Sequence, residues 1–160
     1  MRKTKTDYMN EGFNAQHTIY NRLANKYKQL SRYDIIESPD GSITDMVDKI
    51  DITIIDKLNK NSYPKSYDVK STEYNDKITY THINSLGQKS KIMKGDFTTD
   101  LIFTFGPKHN IGYFVKAEDF YKVLMNKIIA DEEQKSKMHA KSKYVWFTKK
   151  EIEALAYDII

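Results

Sequence analysis

The sequence predicts a single mixed α/β domain, a central sheet flanked by helices, and three observations support this. Apolar residues recur at helical spacing near both ends and again in the second half. Between these stretches lie short runs of β-branched and aromatic residues in period two. Turn clusters separate the runs, with no low-complexity linker and no internal repeat. At 160 residues the chain can bury one core without disulfides or a structural metal.

Taken in order, Phe13, Tyr20, Leu23, Ala24, Tyr27 and Leu30 stripe an amphipathic helix with no Pro or Gly after Gly12. Tyr33–Ile36 is a short apolar segment closed by the turn cluster Ser38-Pro39-Asp40-Gly41. Over 49–55, Ile50, Ile52 and Ile54 fall on one face of a strand, and Asp51 and Thr53 on the other. Asn59-Lys60-Asn61-Ser62 supplies a turn, and 65–71 returns as the second arm of an antiparallel hairpin. Segments 79–83 and 89–93 flank Leu86-Gly87-Gln88 and suggest a polar hairpin. Residues 100–105 are the most apolar run and suit a central strand. Gly106-Pro107 ends that run, and 111–115 is the next strand. A helix over 117–130 opens with Glu118 and Asp119, favourable at a helix N-terminus. A strand at 144–147 follows. Thr148 and Glu151 form a capping box for a last helix striped by Ile152, Leu155, Ala156 and Ile159.

Composition narrows the function. The chain has no Cys, which excludes thiolate metal sites and cysteine nucleophiles and suits a cytoplasmic address. The start, Met1-Arg2-Lys3-Thr4-Lys5, leads into polar residues, so no signal peptide is expected. No run approaches the ~20 apolar residues of a membrane span. The net charge of +4 permits a nucleic-acid partner without demanding one. Lysines gather at Lys57/Lys60/Lys65, Lys89/Lys91/Lys94 and Lys135/Lys137/Lys141/Lys143, as they would on an ordinary solvated surface. Phosphate-binding glycine loops and a nucleophile-elbow serine are absent from the sequence. His82, His109 and His139 lack metal-ligand spacing and are expected at the surface, whereas Trp146 and Phe147 are expected in the core or at a sheet edge and not as a base-stacking platform.

One pattern carries chemistry. Acid-x-Lys occurs at Asp68-Val69-Lys70 and at Glu133-Gln134-Lys135. The second lies in the polar tail of a helix, where i and i+2 do not face each other. The first lies on a strand, which sends Asp68 and Lys70 to one face and Val69 to the other. A two-residue loop at Asn59-Lys60 places Asp51 across from Asp68; a four-residue loop over 59–62 places it across from Lys70. Either register leaves Asp51 roughly 5–8 Å from both. Asp48 is expected to close the preceding loop. Two close carboxylates call for a hard cation, Mg²⁺ or Mn²⁺ in its place. Such a cation polarises a phosphodiester and activates a water, while Lys70 orients or helps deprotonate that water and steadies the phosphate charge.

The run Lys49-Ile50-Asp51-Ile52-Thr53, a hairpin, then Tyr67-Asp68-Val69-Lys70-Ser71 resembles the signature of the PD-(D/E)xK, or restriction-endonuclease-like, nuclease superfamily, which includes small phage-encoded members. The resemblance spans roughly residues 11–147 and rests on three residues plus context; Ile50 stands where the name has Pro. It implies an αβββαβ core, Asp51 and Asp68 as metal ligands, and Lys70 as the catalytic lysine. It also implies an acid or Gln from the first helix, for which Glu11 and Gln16 rank equally and His17 lower. The function that follows is a Mg²⁺-dependent DNA endonuclease, acting in the cytoplasm of a bacterium or phage-infected cell, with a homodimer favoured if both strands are cut. The rivals are a nuclease-fold protein that binds DNA or a protein partner without cutting, and an assembly protein in which the three residues coincide by chance.

Overall fold

The computed structural model describes residues 3–27, 31–39, 49–59, 61, 64–134 and 143–160. The elements run α1 (Lys5–Tyr27), β1 (Tyr33–Glu37), β2 (Ile52–Asp56), β3 (Lys65–Thr72) and β4 (Lys77–Ile83), then a 3-10 turn (Ile92–Lys94). After it come β5 (Thr99–Phe105), β6 (Gly112–Val115), α2 (Ala117–Gln134), β7 (Lys143–Thr148), α3 (Lys149–Leu155) and β8 (Asp158–Ile159). Together they form one α/β domain around a mixed six-stranded sheet of order β1-β2-β3-β5-β6-β8. β1, β2 and β3 form the expected antiparallel meander. β5 then lies parallel to β3, from Ser66–Thr99 to Thr72–Phe105, and antiparallel to β6. Among the described residues no helix is long and apolar enough to cross a membrane.

β5 is central, as its unbroken apolar run predicts, and both of its faces are covered. Ile102 joins Ile19 and Leu23 of α1 with Ile52, Tyr67 and Phe114 in one cluster. Leu101 and Phe103 point the other way, into a larger cluster with Phe120 and Leu124 of α2, Ile78, Val145 and Phe147. Asp100, on the Ile102 face, ties the sheet to α2 and the last segment: its Oδ1 accepts the Ala117 N–H at 3.0 Å and its Oδ2 the Tyr157 hydroxyl at 3.2 Å.

Several expectations are corrected. α1 begins at Lys5, eight residues before Phe13, because Thr4 and Asp7 cap it reciprocally: the Asp7 N–H donates to Thr4 Oγ1 and the Thr4 N–H to Asp7 Oδ2. Its most buried positions are Ala15, Ile19 and Leu23, so of the expected stripe Leu23 is central, and Ala15 and Ile19 join it where Phe13 and Tyr20 were expected; Leu30 lies outside the described residues. The hairpin at 79–93 keeps its turn, where Asn84 and Gln88 bond each other, but loses its second arm. Lys89 makes a single bridge to Ile83, and the chain winds into the 3-10 turn that buries Ile92. The partner of β4 is instead β7, in a separate two-stranded ribbon. The capping box at Thr148 and Glu151 forms as expected, yet its helix stops at Leu155. The chain then pairs as β8 with β6, leaving Ile159 exposed instead of on a helix stripe.

Phe103 is fully buried at the centre of the larger cluster. Phe103→Ala should cost about 3–5 kcal/mol in urea unfolding, whereas Leu86→Ala, at an exposed turn, should move stability by less than ~0.5 kcal/mol.

Candidate active site

Asp51 stands just ahead of β2, and its backbone extends the ladder. The Ser38 N–H donates to its carbonyl and its own N–H donates to the Tyr67 carbonyl, both at 2.8 Å. Its carboxylate then takes a ladder position itself, with Oδ2 accepting the Val69 N–H at 2.6 Å. The neighbouring pair Ile52–Tyr67, extended by one residue, sets Asp51 opposite Asp68. That is the first of the two registers expected, although the paired ladder ends at Ile54–Lys65 and the connection is longer than a two-residue turn. Asp51 is 8% exposed, too buried for an idle surface acid.

Period two on β3 divides the next residues. Tyr67 and Val69 pack into the cluster beneath α1, so Asp68 and Lys70 share the opposite face, toward β4. Lys70 Nζ lies 2.8 Å from Asp68 Oδ2 and 5.9 Å from the centre of the Tyr80 ring. Tyr80 is buried, and nothing in the sequence analysis marked it. Its signal was the alternation Ile78, Tyr80, His82, whose inward face was hidden by the polar residues between.

The electrostatics follow from this packing. Burial first, and the charge of Asp68 second, push the Asp51 carboxyl up to about 8; the Val69 N–H and Lys70 oppose them without prevailing. A smaller push in the same direction comes from a side-chain contact with Asp68. Burial alone would depress the Lys70 ammonium, but Asp68, Tyr80 and Asp51 outweigh it and raise its pKa. Lys70 therefore stays charged across the physiological range.

The three residues expected to converge do converge. Among the described residues no group of three or more His, Asp or Glu could hold a metal ion. Asp51 and Asp68 are a two-carboxylate set, which suits a hard cation that keeps most of its water. A buried carboxyl pushed up by its neighbour is the kind of donor such an ion would relieve. Asp48 lies outside the described residues.

The first-helix candidates separate. Gln16 is buried and its amide donates to the Ser38 carbonyl at 3.2 Å and to Glu37 Oε1 at 3.4 Å, one hydrogen bond away from the Asp51 backbone. His17 is exposed and its Nδ1 meets Glu37 Oε2 at 2.8 Å. Glu11 belongs to a different cluster, paired with Lys3 at 2.6 Å beside Glu73. His82 and His109, expected at the surface, are 5% and 7% exposed; His139 lies outside the described residues. His109 sits in the left-handed region at φ 48, and burial, stronger than the pull of Glu73 and Glu11, lowers its pKa. No protein-family model matches this sequence, and a search of curated proteins returns no match.

A stability test isolates Asp51. Its folded pKa of about 8 lies above the ordinary 3.8, so the folded chain holds a proton that the unfolded chain releases. The stability tied to that proton is complete below about pH 4 and drains away as pH rises to about 8. With a chelator present, Asp51→Asn should leave urea stability near wild type at pH 4–5 and raise it by roughly 1–3 kcal/mol at pH 9. Loss of stability at pH 9 would show that the carboxylate is needed there in its charged form.

Proposed function

We propose that this chain is a metal-dependent nuclease that hydrolyses phosphodiester bonds in DNA, using Mg²⁺ or Mn²⁺. The convergence of Asp51, Asp68 and Lys70 on one patch of sheet carries the reading. The order α1-β1-β2-β3, with the acids at the start of β2 and on β3, supports a restriction-endonuclease-like core. One departure stands against a full match: β3 reaches its parallel neighbour β5 through β4 and a 3-10 turn, where the αβββαβ order has a helix.

Asp51 and Asp68 would hold the cation, which when bound supplies Lewis acidity to the phosphodiester and lowers the pKa of a coordinated water. Asp51 gives up its proton to do so. Lys70, charged and fixed by Asp68 over Tyr80, donates and does not accept; its role is to orient the attacking water and to offset charge developing on the phosphate. Acting as a base would conflict with its raised pKa. Gln16, through Ser38, holds the backbone that presents Asp51.

The test is cleavage of supercoiled and linear DNA with Mg²⁺ or Mn²⁺. Asp68→Ala and Lys70→Ala should each lower the rate by about 100-fold or more with circular dichroism unchanged. A wild-type protein that binds DNA and never cuts it with either ion would replace this reading with the binding protein.

A further inference from the structure

The ribbon of β4 and β7 turns Ile78, Tyr80, Val145 and Phe147 into the core. Its outer face carries Lys77, Thr79 and Thr81 opposite Thr148, Trp146 and Tyr144. These six described residues include no carboxylate and no aliphatic side chain. Trp146 is 43% exposed and Tyr74, beside it at the start of the ribbon, is 55% exposed. The three rings form a row: Tyr144 to Trp146 is 6.4 Å between centroids and Trp146 to Tyr74 is 6.2 Å. The Lys77 ammonium lies 4.8 Å from the Trp146 ring and 5.0 Å from that of Tyr74, and it makes no ion pair with a described residue within the salt bridges of this fold. Trp146 lies on an edge strand, one of the two places expected for it, and its ring faces outward in an aromatic cluster, which reopens the base-stacking role that the sequence spoke against.

Folding alone gives no reason to keep Trp146 and Tyr74 exposed and in contact on the outside of a two-stranded ribbon, with Tyr144 half-buried beside them. We propose that this outer face is a stacking surface for single-stranded nucleic acid. Bases present flat π-faces that Trp146, Tyr74 and Tyr144 can match without reading sequence, and Lys77 adds a cation where a phosphate would run. The threonine hydroxyls add neutral donors. A protein partner of the usual kind would find no aliphatic side chain to pack, and a cationic partner would find no acid. β4 belongs to both regions, with Tyr80 inward against Lys70 and Lys77 outward beneath the rings. The stacking face and the nuclease centre thus lie on opposite faces of β4; that a strand held on the outer face is also a substrate rests on the function proposed above.

Trp146 is the only tryptophan, so its fluorescence reports on this face alone. Full-length protein in a chelator is titrated with an oligothymidylate and with a duplex of equal length. The single strand should quench Trp146 saturably, more than the duplex does, and added salt should weaken the binding. Anisotropy of a labelled oligothymidylate should show affinity falling about tenfold in Tyr74→Ala and also falling in Lys77→Gln. Absence of quenching, equal binding of duplex, or unchanged affinity in both variants would overturn the inference. No divalent cation is present, so quenching without later cleavage on adding Mg²⁺ would defeat only the nuclease reading. Cleavage without quenching would defeat only this one.

Discussion

A buried carboxylate in a backbone position is the constraint on which the rest of the site depends. Asp51 Oδ2 accepts the Val69 N–H, a donor that would otherwise seek a carbonyl across the ladder. This bond pins β2 against β3 in the register that sets Asp51 opposite Asp68. A slip of one residue would turn Asp68 and Lys70 to the α1 side and bring Tyr67 and Val69 out of the core. The burial that fixes the geometry also keeps water from Asp51, and the neighbouring Asp68 adds its charge. The site is therefore held in a state that a proton or a cation relieves.

The surrounding layers keep that patch in place. α1 covers one face of the sheet through Ile19 and Leu23, while α2 and the β4–β7 ribbon cover the other through Phe120, Ile78 and Phe147. Lys70 is caught between Asp68 and the Tyr80 ring. A lysine so placed stays protonated, so its position near a phosphate would give charge compensation instead of proton abstraction. Tyr80 has this role only because β4 leaves the main sheet and folds back over the β3 face.

Local signals were legible in the sequence and distant pairings were not. The period-two run at Ile52, the triplet on β3, the apolar run of β5 and the capping box at Thr148 each appear within a few residues, and each forms. The union of β4 with β7 joins Lys77 to Thr148, and no local pattern announces a partner that far along the chain. The same limit explains β8, whose two paired residues look like a continuation of the helical stripe. His82 and His109 read as surface residues because their polar neighbours conceal that each points inward. The Asp51 register was legible as one of two choices; the length of the turn could not select between them. Acid-x-Lys by itself said little, since Glu133-Gln134-Lys135 repeats it, with Glu133 and Gln134 on α2.

The most direct test of the paired carboxyls is the number of protons released when a cation binds. Calorimetric titration of the full chain with Mn²⁺, in two buffers of different ionisation enthalpy, measures it at each pH. A carboxyl held up to about 8 predicts release approaching one proton per ion near pH 6–7, falling toward none above about pH 9, and lost in Asp51→Asn. Binding with no proton released at neutral pH, or no binding at all, would contradict the account.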